Sequence, residues 1–177
     1  SDTQVDYGTT TAYGSSTTLK DTSPRVTAHS QALSGLQAST LYHYRVKSKD
    51  AAGNLATSGD FTFTTTAAPD TTAPVISAVT ATGMTATGAT ISWTSNEASD
   101  TQVEYGTTTA YGSLTTLNGS MVTAHSQGLS GLTASTTYNY RVRSKDAAGN
   151  QAVSGNATFA TTAAPDTTAP VISAVTA

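Results

Sequence analysis

The chain has 177 residues, a formal net charge of −3 and no cysteine, and only 11% of its residues are charged. The lack of cysteine excludes disulfides, thiolate catalysis and cysteine-based zinc or iron–sulfur sites. The slightly acidic balance predicts no nucleic-acid partner, and no apolar run is long enough for membrane insertion.

The residue composition favours β-structure. The chain holds eight tyrosines and one tryptophan, and both are residue types enriched in strands, as are the frequent valine and threonine. A disordered chain of this length would carry more charge and fewer aromatic or β-branched residues. The length permits one large domain or two small ones.

The sequence contains an internal repeat. Residues 1–14 (SDTQVDYGTTTAYG) return almost unchanged at 99–112, and residues 65–81 return at 161–177. Between these blocks, VTAHSQALSGL of the first copy matches VTAHSQGLSGL of the second. The repeating unit is therefore about 96 residues long, which is the size of one small domain.

In the second copy, short runs of alternating apolar and polar residues lie between turn signals. One run places Tyr138, Tyr140 and Val142 on one face of a strand. No helical period interrupts these runs, which together indicate an antiparallel β-sandwich. The predicted strands are 75–81, 90–94, 101–105, 121–127, 137–145 and 157–161.

The run at 137–145 carries the motif of a known family. The pattern LxxxTxYxYxV, written here from Leu132 to Val142, resembles the E–F corner and F strand of fibronectin type III domains. Trp93 resembles the strand-B tryptophan of that family, and the DAAGN turn and DTTAP linker are typical of its bacterial members. The resemblance implies an all-β chain of tandem immunoglobulin-like antiparallel β-sandwiches. It also implies structural roles, as tyrosine corners or core, for Tyr42, Tyr44, Tyr138, Tyr140, Val142 and Trp93.

The motif AAPDTTAP marks the boundaries between domains. Its two prolines give an extended, semi-rigid spacer, and it occurs twice in the chain. One domain is therefore predicted to be complete, and the domain before it lacks strands A and B and starts at strand C. The predicted parts are a partial domain over 1–66, a linker over 67–73, a complete domain over 74–162, a linker over 163–169, and strand A of a following domain over 170–177.

The missing strands leave one face of the first sheet without cover. We expect Val5, Tyr7, Tyr44 and Val46 to face water there. Burying each such side chain is worth roughly 1.5–3 kcal/mol, and whole domains are stable by only about 5–15 kcal/mol. We therefore expect that 1–66 does not fold alone, and that a neighbouring chain or the rest of a longer array completes it.

Completion by a neighbouring chain is strand complementation, which makes a protein self-associate head to tail. The polymer interface would join the end of one chain to the first sheet of the next. Its predicted residues are Val171, Ile172 and Val175 on one side, and Val5 and Tyr7 on the other.

No catalytic residue and no bound cofactor is predicted. His29, His43 and His125 are interpreted as surface strand residues, because His is mostly found partly exposed. No Ser–His–Asp set is expected within one unit. Paired carboxylates such as Asp100 and Glu104 lie on solvent-facing strand positions, whereas a glycosidase pair needs a cleft.

Two alternatives stay open for the remaining polar residues. Asp146 either closes an Asx-type turn or joins Asp70 or Asp166 in a Ca²⁺ site at a domain junction. Tyr13 and Tyr111, in the TTTAYG loops, either anchor those loops or stack on a sugar. Separately, two sequons predict exposed glycosylation sites at Asn118 and Asn156.

The function predicted first is a non-catalytic extracellular structural protein, a stalk or filament subunit of a bacterial cell surface. The alternatives are a spacer region of a secreted polysaccharide-degrading enzyme and an adhesin that binds carbohydrate or cells. The near-identity of the repeats favours the structural role, and the fold alone does not decide among the three.

Overall fold

The computed structural model describes residues 1–173, and they form two compact units, unit 1 over Ser1–Pro69 and unit 2 from Asp70 onward. The division falls inside the predicted linker 67–73. All regular structure in the described residues is β, and no helix among them is long and apolar enough to cross a membrane.

Unit 1 contributes five strands and unit 2 contributes seven. In unit 1 they are β1 (Gln4–Gly8), β2 (Ser15–Ser16), β3 (Leu41–Lys49), β4 (Leu55–Thr57) and β5 (Phe61–Thr64). In unit 2 they are β6 (Ile76–Thr82), β7 (Gly88–Gly106), β8 (Ser113–Leu114), β9 (Asn118–Ser130), β10 (Thr137–Lys145), β11 (Gln151–Val153) and β12 (Ala157–Ala160).

Unit 2 consists of two antiparallel sheets that share one strand. The first half of β7 pairs with β6 and β9, and its second half pairs with β8 and β10. On the far side of β10, β11 and β12 continue the second sheet. The first sheet therefore contains β6, β7 and β9, and the second contains β8, β7, β10, β11 and β12, which together form an antiparallel β-sandwich of the immunoglobulin-like type.

The separate strands predicted at 90–94 and 101–105 are one element, so the prediction of a break between them is wrong. The register of β7 against β9 shifts between Thr94 and Ser99. Such an irregularity bends a strand and increases its twist. Here it carries β7 from one sheet into the other without a turn, so no turn residues in the sequence mark the change of sheet.

The core of unit 2 lies between the two sheets. Trp93 is 2% exposed, and Ile91, Val103 and Val142 are fully buried. Tyr138, Tyr140 and Val142 of β10 face this core, because side chains alternate along a strand. The buried cluster consists of Ala89, Ile91, Trp93, Val103, Leu129, Leu132, Tyr138, Tyr140, Val142 and Phe159.

Each unit has a tyrosine hydroxyl bonded to backbone at the corner before its long strand. The backbone N–H of Thr133 donates to Tyr138 Oη at 3.0 Å. In unit 1, the backbone N–H of Gln37 donates to Tyr42 Oη, also at 3.0 Å. Both tyrosine rings are buried, so each phenol has an apolar body and a satisfied polar end.

Trp93 is held by two neighbours of different chemistry. Its indole Nε1–H donates to Ser144 Oγ at 2.9 Å. Its ring stacks on His125 with centroids 4.8 Å apart and planes 8° from parallel. Trp93 and His125 are a direct cross-strand pair of β7 and β9, so they occupy the same face of the sheet.

The prediction of a surface position for His125 is therefore wrong, since this residue is 4% exposed. Its Nε2 lies 2.9 Å from Ser95 Oγ, and its Nδ1 lies 2.7 Å from Thr101 Oγ1. Burial lowers the pKa of His125, although the nearby Asp100 charge opposes that effect. The imidazole is thus a neutral core residue at pH 7.

Unit 1 has one sheet, in which β1 pairs with β2 and β3, and β3 pairs with β4 and β5. It corresponds to the second sheet of unit 2. The chain between β2 and β3 contains the sequence VTAHSQALS at 26–34, which forms no strand. Its counterpart VTAHSQGLS lies in β9. The two segments have nearly identical sequences, but only the segment in unit 2 forms a strand, because β7 is there to pair with it.

One side of the unit 1 sheet, which we call the open face, carries Val5, Tyr44, Val46 and Phe63. Tyr7, Tyr44 and Val46 are half-buried, but Val5 is only 8% exposed, so the expectation that Val5 faces water is wrong. Gln31 and Leu33 line a shallow groove of about 280 Å³ over Val5, Tyr44 and Phe63. The strandless segment 26–34 thus covers this face partially.

A strand predicted at 170–177 is not seen in the part that the structure describes. Residues 170–173 form no strand, and Val171 and Ile172 are 90% and 83% exposed. Val175 lies outside the described residues. A first strand of a sandwich needs a second strand beside it, and within unit 2 the equivalent β6 pairs with β7.

Candidate functional site

The outer face of the second sheet of unit 2 carries a cluster of aromatic and charged side chains, the tyrosine platform, formed by Tyr111, Arg141 and Glu104. The Arg141 guanidinium lies 4.7 Å from the centroid of the Tyr111 ring. Arg141 Nε is paired with Glu104, whose other oxygen lies 2.7 Å from Arg143 Nη1. A shallow surface pocket of about 260 Å³ adjoins these residues.

Unit 1 repeats the platform with small changes. The Arg45 guanidinium lies 4.6 Å from the centroid of the Tyr13 ring. Asp6 replaces the glutamate and pairs with Arg45 Nε at 2.9 Å and with Lys47 Nζ at 3.0 Å. Ser16 Oγ donates a further hydrogen bond to Asp6 at 2.6 Å. Both copies therefore fix the arginine between a carboxylate and an aromatic ring.

The loop before each platform packs against a glycine with no room for a side chain. A Cβ on Gly106 would lie 1.5 Å from the carbonyl oxygen of Tyr111, and a Cβ on Gly8 would lie 1.4 Å from that of Tyr13. The two tyrosines have φ of 60° and 63°, which is left-handed backbone that non-glycine residues adopt rarely. The strand glycine thus holds the tyrosine in place over the arginine.

The platform geometry bears on the two interpretations of Tyr13 and Tyr111. Both rings are half-buried, and one face of each is covered by the guanidinium of an arginine. Tyr13 Oη also donates to Asp60 at 3.1 Å. These contacts favour a loop anchor. Chemically, the platform offers a cation, a carboxylate and a ring edge, which suit hydrogen bonding to hydroxyl groups.

The carboxylate of Asp6 is strongly biased towards its ionised form. Burial raises the pKa of Asp6, but the hydrogen bonds from Ser16, Lys47 and Arg45 and the charge of Lys47 outweigh burial, and the pKa falls from 3.8 to about 2. In unit 2, Arg141 and Arg143 likewise overcome burial and hold the pKa of Glu104 below its usual range.

Acidification is expected to weaken unit 1 through Asp6. Because the pKa is about 2 in the folded state and 3.8 otherwise, the ion pairs stabilise unit 1 fully above the higher value. That contribution is lost as the pH falls through the lower one. Screening by solvent limits it to on the order of 1 kcal/mol. Hydrogen exchange of the β1 and β3 amides, corrected for intrinsic rates, should show this loss in the wild type and a smaller one in Asp6→Asn. An equal loss in both proteins would contradict this assignment.

A second polar cluster lies near the start of unit 2. One carboxylate oxygen from each of Asp70, Glu97 and Asp146 lies within 4.8 Å of the others. Burial, together with the charges of Asp70 and Asp146, raises the pKa of Glu97. The sequence analysis paired Asp70 with Asp146 as Ca²⁺ ligands and missed Glu97, because the bend in β7 that places it there has no sequence signal. Asp166 is not part of this cluster.

Asp146 also closes the turn that the sequence predicts. Its Oδ1 accepts the backbone N–H of Asn150 at 2.8 Å, and its Oδ2 accepts the side-chain amide of Asn150 at 2.8 Å. Its backbone carbonyl accepts the N–H of Gly149, which has φ of 97°. The Asx-type turn thus accounts for the polar contacts of Asp146, and a Ca²⁺ site at this junction stays a prediction.

The histidines of unit 1 have polar partners. His43 Nδ1 lies 2.7 Å from Asp60 on the outer side of β3. His29 Nε2 lies 2.9 Å from Ser1 Oγ, and its Nδ1 lies 2.9 Å from Asp21. This is a Ser–His–Asp set, which the sequence analysis did not expect to assemble. However, His29 Nδ1 is shared with Thr3.

The counterparts of these residues in unit 2 form a similar hydrogen-bond network, which indicates the role of the network around His29. Ser99 and Thr101 correspond to Ser1 and Thr3, and both lie within hydrogen-bonding distance of His125, the counterpart of His29. In unit 2 this network is buried beneath Trp93. The network in unit 1 therefore matches a core arrangement rather than a catalytic one.

Both predicted glycosylation positions are on the surface. Asn118 is exposed at the start of β9, and Asn156 is exposed just before β12. The side-chain amide of Asn156 donates to Asn139 Oδ1 at 3.1 Å. Modification of either asparagine stays a prediction.

Comparison with known proteins gives the following similarities. No family model matches this chain. Chitinase A1 of Niallia circulans is 40% identical over 153 residues, which are 84% of this chain and 21% of that protein. Exoglucanase B of Cellulomonas fimi is 38% identical over 148 residues, which are 79% of this chain and 13% of that protein. The chain thus spans about a fifth or less of the length of these relatives.

Among solved structures, one similar chain is the sixth fibronectin type III domain of human fibronectin type III domain containing protein 3. It is 19% identical, with a TM-score of 0.44, and the match covers 57% of this chain and 97% of that one.

Proposed function

We propose that this chain, whose second unit has the fibronectin type III fold, is a non-catalytic spacer region of a bacterial enzyme that degrades a polysaccharide. One observation carries the proposal. Most of this chain, 84%, aligns at 40% identity with only 21% of a chitinase, so the matched region is a small part of a much larger enzyme. A match of this length includes both copies of the repeat.

The structure supports a spacing role in three ways. The one histidine of unit 2, His125, is in its core, where Trp93 stacks on it. Five pockets on the surface of the described residues are shallow, with volumes of about 230–350 Å³. The proline-containing segments beside unit 2 are semi-rigid spacers. Such a region keeps other domains at a set distance.

An extracellular location follows from the proposed substrate class. Chitin and crystalline glucans are insoluble polymers, so an enzyme that degrades them meets its substrate outside the cell. The threonine-rich, lysine-poor composition of the chain is consistent with that location.

The experiment begins with the open reading frame that encodes this chain, which is expected to encode a glycoside hydrolase domain as well. In the full-length enzyme, the region is replaced by a flexible glycine–serine linker of equal length. We expect lower activity on the insoluble polymer and unchanged kcat and KM on a soluble oligosaccharide. An open reading frame that holds only repeats, or a loss of activity on the soluble substrate, would overturn the proposal.

The sequence analysis ranked a stalk or filament subunit first and the enzyme spacer second, and the relatives favour the spacer. The third hypothesis, that the chain binds carbohydrate, depends on the tyrosine platform. It is examined by co-sedimentation of the chain with insoluble chitin and cellulose, with Tyr111→Ala as the control. Retention that Tyr111→Ala abolishes would favour a binding module over a spacer.

A further inference from the structure

We propose that Asn118 is a site of spontaneous covalent modification, at which the backbone nitrogen of Gly119 displaces the side-chain amide nitrogen and deamidates the asparagine. The chain has six asparagines, and Asn118 is the one that a glycine follows. The proposal rests on the structure of β9 around this pair and is independent of the proposed function.

The reaction joins the Gly119 nitrogen to Cγ of Asn118. The Gly119 N–H gives its proton to a solvent base, the nitrogen attacks Cγ, and the Cγ–Nδ2 bond breaks. Nδ2 takes up a proton from water and leaves as ammonia, so the product is a five-membered succinimide ring. Water then opens the ring at either carbonyl, which gives an aspartate or an isoaspartate whose main chain runs through the former side chain.

The attacking nitrogen lies in a bulge of β9. Asn118 pairs with Thr101 of β7. The next pair is Val122 with Ser99, so three residues of β9 stand opposite one residue of β7. Such a bulge leaves the extra residues outside the regular ladder. Gly119 is exposed, and a Cβ there would meet no atom within 4 Å. Its amide is therefore accessible to solvent base and the backbone around it has room to move.

The side chain of Asn118 is oriented for the attack. Its Oδ1 accepts the backbone N–H of Ser120 at 3.0 Å. An Asx-type contact of this kind folds the side chain back along its own backbone, towards the peptide that contains the Gly119 nitrogen. Negative charge develops on Oδ1 when Cγ is attacked. The Ser120 N–H already faces that oxygen and stabilises the charge, as a donor in an oxyanion hole does.

The leaving nitrogen of Asn118 is less restrained than that of most other asparagines. Within residues 1–173, Asn118 makes its side-chain hydrogen bond through Oδ1, so the departure of Nδ2 breaks none. Asn96 Oδ1 accepts the backbone N–H of Val75, which holds that side chain against a distant segment. Four asparagines donate Nδ2–H to another group, namely Asn54, Asn139, Asn150 and Asn156.

The modification changes both the charge and the start of β9. Each event adds one negative charge to the formal net charge of −3. Isoaspartate also lengthens the main chain by one methylene, which disrupts the pair between Asn118 and Thr101. Nδ2 of Asn118 is the acceptor atom of a predicted glycosylation sequon, so a deamidated chain has lost that acceptor.

The test is incubation of the chain, produced in a host that does not glycosylate asparagine, in mildly alkaline buffer. Peptide mass spectrometry measures aspartyl and isoaspartyl product at each asparagine over time. We expect conversion at residue 118 to exceed the summed conversion at the five other asparagines. It should be faster than in neutral buffer, because the attacking nitrogen must lose its proton.

Two glycine variants make the test specific. Gly119→Ala should slow conversion at residue 118 several-fold, because the methyl group shields the nitrogen and restricts the backbone. Gly155→Ala is the matched control, since a Cβ at Gly155 also meets no atom within 4 Å, and it should leave conversion at residue 118 unchanged. Equal rates in the wild type and Gly119→Ala would overturn the proposal.

A synthetic peptide of residues 115–123 measures the rate in the absence of the fold. Because the bulge leaves the Gly119 amide outside the ladder, we expect the folded chain to convert at a rate similar to that of the peptide. Conversion in the peptide but not in the chain would show that the fold protects Asn118, and would overturn the assignment. Conversion at residue 118 no greater than at the other asparagines would overturn it as well.

Discussion

Trp93→Ala is expected to destabilise unit 2 by about 3–5 kcal/mol, the range for removal of a large buried aromatic side chain. Trp93 is 2% exposed, so its removal leaves a cavity between the two sheets. It also leaves His125 without its stacking partner and Ser144 without the indole donor. Since whole domains are stable by about 5–15 kcal/mol, this change alone brings unit 2 close to unfolding.

The measurement is the free energy of opening at the β10 amides, obtained from native-state hydrogen exchange. This readout reports on unit 2 separately from unit 1 and does not need the tryptophan as a fluorophore. Leu117→Ala is the control, because Leu117 is 48% exposed and its truncation should change the stability by less than about 0.5 kcal/mol. A loss below about 1 kcal/mol in Trp93→Ala would contradict its position in the core.

Gly106→Ala is expected to have the second-largest effect, about 3 kcal/mol of destabilisation, at the upper end of the range for overpacking. The added Cβ would lie 1.5 Å from the carbonyl oxygen of Tyr111. This neighbour is backbone, so no change of rotamer relieves the overlap, and the loop must move. Tyr111 would then leave the Arg141 guanidinium, and the tyrosine platform of unit 2 would be lost.

The matched control is Gly128→Ala in β9. A Cβ at Gly128 meets no atom within 4 Å, and the first copy of the repeat has Ala32 at this position. We expect a change of stability within about 0.5 kcal/mol. Urea unfolding followed by circular dichroism compares the two variants. Equal stabilities would show that the loop adapts freely to a side chain at residue 106.

The sequence predicts much of the second unit because its signals are local. The alternation of Tyr138, Tyr140 and Val142 with polar residues indicates one strand, and β10 has the predicted bounds 137–145. The all-β architecture follows from several such runs. By contrast, β7 has no turn residue where it changes sheets, so the sequence alone divides it into two strands.

The environment of the histidines could not be predicted from local pattern. His125 faces the core because it is the cross-strand partner of Trp93, and that register depends on strands distant in sequence. The same limit applies to Glu97, which joins Asp70 and Asp146 through the bend in β7. Pairing between distant segments, rather than propensity, decides these positions.

The segments 26–34 and 122–130 show this effect most clearly, because nearly the same sequence has two structures in one chain. β9 exists where β7 offers a pairing edge, and the matching segment of unit 1 is without strand structure beside the open face. Strand propensity is the same in both copies, so it cannot be the cause of the difference.

Hydrogen exchange of these two segments in a single sample of the unmodified chain is the most direct measurement. The intrinsic exchange rates are nearly equal because the sequences are, so each segment serves as the control for the other. We expect strong protection of the amides at 124–130 and rapid exchange at 28–34. Equal protection of the two segments would contradict the conclusion that pairing with β7, rather than the local sequence, makes β9 a strand.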